Sequence, residues 1–470
     1  MSPQSWSVNH LVVNSFVIAE KLRPSVAFRA IPIVVLIIGL FTNSFSQSPP
    51  EEKPRLKDFG SSLRNMKWDP KKNEAVVNNP AAKNESDDDV VRIETSLVTS
   101  DVLVTDRQGH LVRGLNANDF VISEDGVLQQ VGHFVLGDSV NRSRSIVLII
   151  DYSRSQFPYI AESIEAAKGF VDKIGRSDRM AIVTDDVEVL VDFTNDKLAL
   201  KKGLDSLVGR NRGSKSFLGV GGKRPRFGRS AQYSALLATL REAFDEEDQN
   251  PIIVFQTDGD ELEYLRNSSI VYEVPPGVPP ELLREVQDEV EQKRKLQRAG
   301  LTEFSLEDVY RAAEKSRVSV YSIVPHTRLL DLPHDEQLRR IAAEDERTVA
   351  TWSAASSDKF KKIYQAREEE RRRKLTPELL QARLDQELKV QQALVDLAKL
   401  TGGWAEFLET KTQTADVYNR ILADINQRYV IGYYPTNKAR DGKRRRIAIE
   451  VKGHSDYVIT SRKSYYAPEP

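Results

Sequence analysis

The chain has no cysteine among its 470 residues. That excludes disulfides, thiolate metal sites, cysteine nucleophiles and an N-terminal lipid-modified cysteine together, so packing alone must hold the fold. Histidine is scarce, at six residues, and no H-E-x-x-H pair occurs to hold zinc. Nor is there a Gly-x-Ser-x-Gly turn to present a serine nucleophile. Charge of one sign is missing too: 68 Lys and Arg stand against 69 Asp and Glu. No global field therefore draws the chain to nucleic acid or anionic lipid, and a charged partner must be met by a local patch. The 40% hydrophobic and 29% charged content suits folded domains carrying solvated helices. At this length two or three domains are expected.

Long apolar runs are also absent, with one short exception. After Lys21, Arg23 and Arg29, the run Ile31–Phe41 is uncharged and apolar, then gives way to TNSFSQSPPEEKP. It has the size of a signal-peptide core, and Ser44 and Ser46 offer small residues for cleavage before Gln47. The reading is export to the periplasm or outside the cell, with the signal near residues 21–46. The long stretch ahead of the run leaves a retained anchor, and hence membrane attachment, as the alternative. Residues 47–89, rich in Pro, Lys, Asn, Glu and Asp, read as a disordered linker.

From Val90 the apolar residues alternate with polar ones, broken by turn signals at Asp106–Gly109 and Glu124–Gly126. Residues 90–140 therefore predict part of a small β-sandwich. After Asn141 the period switches repeatedly: SIVLIID, RMAIVTDD, VEVLVDF, PIIVFQTDGDE and RVSVYSIVP read as strands, and helical patterns lie between most of them. The prediction is an α/β class, with a doubly wound, mostly parallel sheet beside the sandwich. Residues 141–333 hold most of this α/β domain with a helical insertion at 273–304. Residues 334–427 carry a charged helical segment and the last α/β elements. RYVIGYYP, RRRIAIEVKG and DYVITSRKSYY, within 428–467, are too few strands to stand alone and are expected to complete the sandwich. A separate C-terminal sheet is the alternative.

In such sheets ligands sit at the carboxyl ends of the strands. Asp151, in VLIIDYSRSQ, ends one strand, and Asp258, in FQTDGDE, ends another. With the hydroxyls of Ser153 and Ser155 they form an all-oxygen donor set, which suits a hard divalent cation: Mg²⁺ first, with Mn²⁺ or Ca²⁺ as alternatives. Few protein ligands leave a position that an incoming carboxylate could fill.

DYSRS and TDGD resemble the metal-ion-dependent adhesion site of von Willebrand factor type A domains. VTDRQGHLVRGLNANDFVISEDGVLQQVGHF, SVYSIV, LAKLTGGWAEF and RYVIGYYPTN with DGKRRRIAIEVKG resemble a bacterial family of exported relatives. The likeness runs from about Val91 to Ala467. It implies a third loop, GRSAQYSALL, in which Ser230 stands where the family carries threonine. It further implies that Ser153, Ser155 and Ser230 offer hydroxyls while Asp151 and Asp258 coordinate directly or through water. Asp260 and Glu261 would stand behind them or simply face solvent.

Between the helical pattern before it and Ser230 lies a basic loop. Its Arg210, Arg212, Lys215, Arg224 and Arg226 could draw an acidic ligand, or be merely solvated. Its GRNRGSKS lacks both the Gly-Lys-Ser adjacency and the preceding strand of a phosphate loop. Leu380, Leu384 and Leu388 stripe a charged helix opened by Thr376 and Pro377, and the stripe is expected to pack on its own domain. No base accompanies the serines, since Arg154 cannot serve at neutral pH. The resulting expectation is a noncatalytic, metal-dependent binder of a protein that supplies an acidic side chain. A metal-assisted hydrolase using Asp151 and Asp258, or a metal that only braces an interaction scaffold, are the alternatives.

Overall fold

A computed structural model describes residues 54–77, 97–136, 143–355 apart from 154, 157, 158, 212–229, 246, 247 and 249, then 369 and 375–469. Residues 1–46, read above as a signal or anchor, Arg154, the basic-loop residues Arg212, Lys215, Arg224 and Arg226, and most of the charged stretch 356–374 lie outside the described residues.

Residues 54–77 correct the linker reading. They form a one-turn helix, α1 (Ser61–Arg64), and an antiparallel hairpin of β1 (Met66–Asp69) and β2 (Glu74–Val77). Leu56, Phe59 and Met66 are buried in the main apolar cluster of the α/β unit. The Glu242 carboxylate accepts from Gly60 N at 2.6 Å and Ser62 N at 2.7 Å, and Arg55 pairs with the buried Asp248. Average composition hid three anchors: each such side chain contributes about 1.5–3 kcal/mol when buried, and the polar residues between them find fixed partners.

Four strands follow: β3 (Val98–Thr105), β4 (Phe120–Glu124), β5 (Val127–Gln129) and β6 (Val131–Val135). β3 alternates buried and half-buried residues along its whole length, the signature of a strand with one face on a core. β4 and β5 join through Asp125 and Gly126, both at positive φ (48° and 85°). That backbone matches the twist of a two-residue hairpin, and glycine adopts it without strain.

The central sheet begins at β7 (Ser145–Ile150) and runs through α2 (Ile160–Lys173), β8 (Arg179–Thr184), β9 (Val189–Thr194), α3 (Lys197–Asn211), α4 (Gln232–Glu242) and β10 (Pro251–Gln256). It continues with α5 (Pro280–Ala299), α6 (Leu306–Lys315), β11 (Ser319–Val324), α7 (His334–Ala355), α8 (Pro377–Leu400), β12 (Ala405–Phe407) and α9 (Thr414–Gln427). Strand order is β12-β11-β10-β7-β8-β9. β7, β10 and β11 are buried at every residue, because helices cover both faces. One face of β7 (Ile146, Leu148, Ile150) packs with residues of α2, α3 and α9. The other (Val147, Ile149) packs with α4, α6 and α8. All pairings are parallel except β8 with β9. A turn of a few residues, with Val187 at φ 62°, is too short for the crossover that a parallel partner needs.

After α9 come β13 (Tyr429–Tyr433), β14 (Arg444–Val451), β15 (Val458–Thr460) and β16 (Ser464–Tyr466). They interleave with the earlier strands as two four-stranded sheets, β15-β3-β13-β6 and β16-β14-β4-β5. Between the sheets lie Val102, Phe120, Ile122, Ile431, Ile447 and Ile449. The α/β unit departs after β6 and the chain returns at β13, its neighbour in the same sheet.

Candidate cation and ligand site

β7 and β10 are adjacent, and Ile150 pairs with Gln256. β7 leads by way of α2 to β8 on one side, while β10 flanks it on the other, so the crevice beyond their carboxyl ends is where this topology accepts ligands. The ladder runs one residue further, Asp151 N donating to Gln256 O at 3.1 Å. Asp151 is fully buried and Asp258 half-buried. Gly259 follows at φ 78°, and a Cβ there would meet Val390 at 2.8 Å. Glycine thus lets the Asp258 loop lie against α8.

The two aspartates are brought together by a residue that the sequence reading did not single out. The Gln232 amide nitrogen donates to Asp151 Oδ2 at 2.5 Å and to Asp258 Oδ1 at 2.6 Å. The second oxygen of Asp258 accepts from Gln156 at 2.7 Å, and that of Asp151 from Ser153 N at 2.8 Å. Ser153 and Ser155 hydroxyls face each other at 2.9 Å. Ser230 is turned elsewhere: its hydroxyl donates to Asp185 Oδ2 at 2.7 Å. Asp185, just past the end of β8, is fully buried and accepts from Tyr152 N at 3.3 Å. Its signal in the sequence was the third strand-end carboxylate, in RMAIVTDD. The signal for Gln232 was an amide opening an otherwise apolar helix face. Asp260 is exposed. Glu261 is buried and bonds Ser234, through N at 3.0 Å and Oγ at 2.7 Å, so its carboxylate braces α4.

Burial holds the Asp151 carboxyl well above the usual carboxylate range, and the charges of Asp185 and Asp258 push it further the same way. A divalent cation would relieve all of these effects. The donor set fits one chemically: oxygens of Asp151 and Asp258 already converge on a single point, and hydroxyls stand on the neighbouring loop. Among the described residues no three His, Cys, Asp or Glu side chains form a cation-holding group, so hydroxyls would have to complete any coordination sphere.

No family model matches this chain, and no curated protein does. It is similar to the solved vWF domain of the type V pili tip protein Mfa5 from Porphyromonas gingivalis, at 13% identity over 61% of this chain and 96% of that one, TM-score 0.32. It is also similar to the pilus adhesin SpaC from Lactobacillus rhamnosus GG in its open conformation, at 10% identity over 78% of this chain and 48% of that one, TM-score 0.34. A third is the conserved hypothetical protein BatB from Bacteroides thetaiotaomicron, at 13% identity over 60% of this chain and 98% of that one, TM-score 0.28. Among the described residues no helix is long and apolar enough to cross a membrane.

Proposed function

We propose that the protein is a noncatalytic binding protein of the von Willebrand factor A type, exported through its N-terminal segment, that captures a protein partner by a divalent cation. The carrying observation is the convergence of Asp151 and Asp258 on one point while Asp151 is desolvated beside two like charges. The cation, Mg²⁺ first and Mn²⁺ or Ca²⁺ next, would be held by Asp151, Asp258, Ser153, Ser155 and Ser230. It would supply an open position for an acidic side chain of the partner. The chain's own contribution is rigidity. The β7 and β10 ladder fixes both aspartates, and the Ser153 N–H orients Asp151. Ser230 would join the set by rotating its hydroxyl away from Asp185, giving up that hydrogen bond, with no γ-methyl to hinder the turn.

Thermal unfolding in chelator, then in graded Mg²⁺, Mn²⁺ or Ca²⁺, tests this beside Asp151→Ala. A cation at 100 times its Kd adds about 2.7 kcal/mol, and each kcal/mol raises Tm by roughly 1–2 °C in a unit of this length. A saturable rise that the variant lacks supports the site. Chelator-sensitive capture of an acidic protein ligand then separates binding from a bracing role. No rise with any of the three ions removes the metal from the reading.

A further inference from the structure

Gln232 occupies the point that the cation reading requires. It is fully buried at the first position of α4, and every polar atom of its amide is committed. The nitrogen serves Asp151 and Asp258, and the oxygen accepts from Glu261 N at 3.0 Å. That last bond sets the orientation of the amide. Turning it over would bring its NH₂ against the Glu261 N–H, donor against donor. Glu261 cannot easily yield, because its carboxylate is tied to the Ser234 N–H and hydroxyl. The nitrogen lies 2.5 and 2.6 Å from the two carboxylate oxygens, whereas Mg²⁺ needs those oxygens at roughly 2.0–2.1 Å. Cation and amide cannot share the space.

We infer that Gln232 is a built-in competitor for the cation position, an amide that hydrogen-bonds the two strand-end carboxylates when no ion is bound and must withdraw before a divalent ion binds. The inference rests on the cation reading above and adds its regulation. The hydrogen bonds of Gln232 are ones an incoming ion has to break. The cation concentration at which the site fills is therefore raised, so partner capture responds to abundant rather than trace divalent ion. A residue that merely packed, or one that ligated the ion through its oxygen, would behave differently.

The test is calorimetric titration of the full chain with Mn²⁺ and separately with Mg²⁺, comparing native protein with Gln232→Ala, which removes the amide and clears the point it occupies. Hydrogen bonds to charged groups are strong enough that their removal should tighten binding about tenfold or more. Binding by the variant alone has the same meaning as tighter binding. Binding that is unchanged or weaker in the variant overturns the competitor and leaves the site standing. Absence of binding in both proteins overturns the site and the competitor together. Should Gln232→Ala fail to fold, Gln232→Val, whose side chain ends short of that point, is read in the same way. The side-chain NH₂ resonances of Gln232 in native protein supply a readout free of mutation: they must shift on Mg²⁺ saturation, and their constancy in a protein that binds Mg²⁺ overturns the inference.

Discussion

Gly126 isolates a single backbone demand. Its φ of 85° is needed by the hairpin, and among the described residues no atom beyond its chain neighbours lies within 4 Å of where a Cβ would stand. Gly126→Ala should therefore cost about 1–2 kcal/mol through conformation alone, read as a lower urea midpoint at constant slope. His326 offers a second test at this scale. It lies just past β11 with its ring nitrogen 3.6 Å from Glu387 and 3.1 Å from Thr327 O. Burial lowers its pKa and Arg383 opposes its charge. Glu387 and Glu344, with Thr327 O, outweigh both and hold it above the ordinary histidine value. A histidine raised on folding stabilises most fully below its unfolded pKa, and that stability is lost as pH rises through the folded value. The stability gap between native protein and His326→Asn should thus be wider at pH 6 than at pH 8 in urea titrations, and a gap independent of pH would reject this account.

Among the elements, α8 turns a stripe into a test. Leu384 is fully buried against Leu329 and Ile341, with Leu380 and Leu388 packed alongside, so the stripe serves its own fold. Leu384→Ala should cost about 2–5 kcal/mol in chemical unfolding. Helix starts were readable where side chains do the capping. Ser305 and Asp308 form a reciprocal capping box, and Thr376 accepts from Leu379 N with Pro377 beside it. Buried strands were readable too, because continuous apolar runs such as SIVLII have no other use in a sheet covered on both faces. What escaped depended on pairing at a distance. Nothing local in Leu56, Phe59 and Met66 announces that α4 and its neighbours will receive them. The direction of β9 follows from the length of a turn, which alternation does not encode. At the site, Asp151 and Asp258 were visible as strand-end carboxylates. The amide of Gln232 between them was not, since only the fold brings helix α4 to that point.

At the scale of the whole molecule, the last strands close both sheets of the sandwich and also touch the α/β unit. Ser464 and Arg444 both reach Glu314 on α6, and a Cβ on Gly402 would meet the backbone of Arg462 at 2.7 Å. Ending the chain after Gly453 would remove β15 and β16 and open the edges of β3 and β14. Limited proteolysis with mass mapping should then cut within residues 98–135, far from the deletion in sequence, while the β7–β11 region stays protected.

The interleaving has a consequence in time. Tyr429 closes on Val112 O across 317 residues of chain. At roughly 5–20 residues per second of synthesis, β3 and β4 wait about 15–60 s for their partners, while the α/β unit emerges complete before them. A nascent or prematurely ended chain therefore exposes apolar strand faces to proteases and chaperones. Closure of the sandwich reports that synthesis has passed β16.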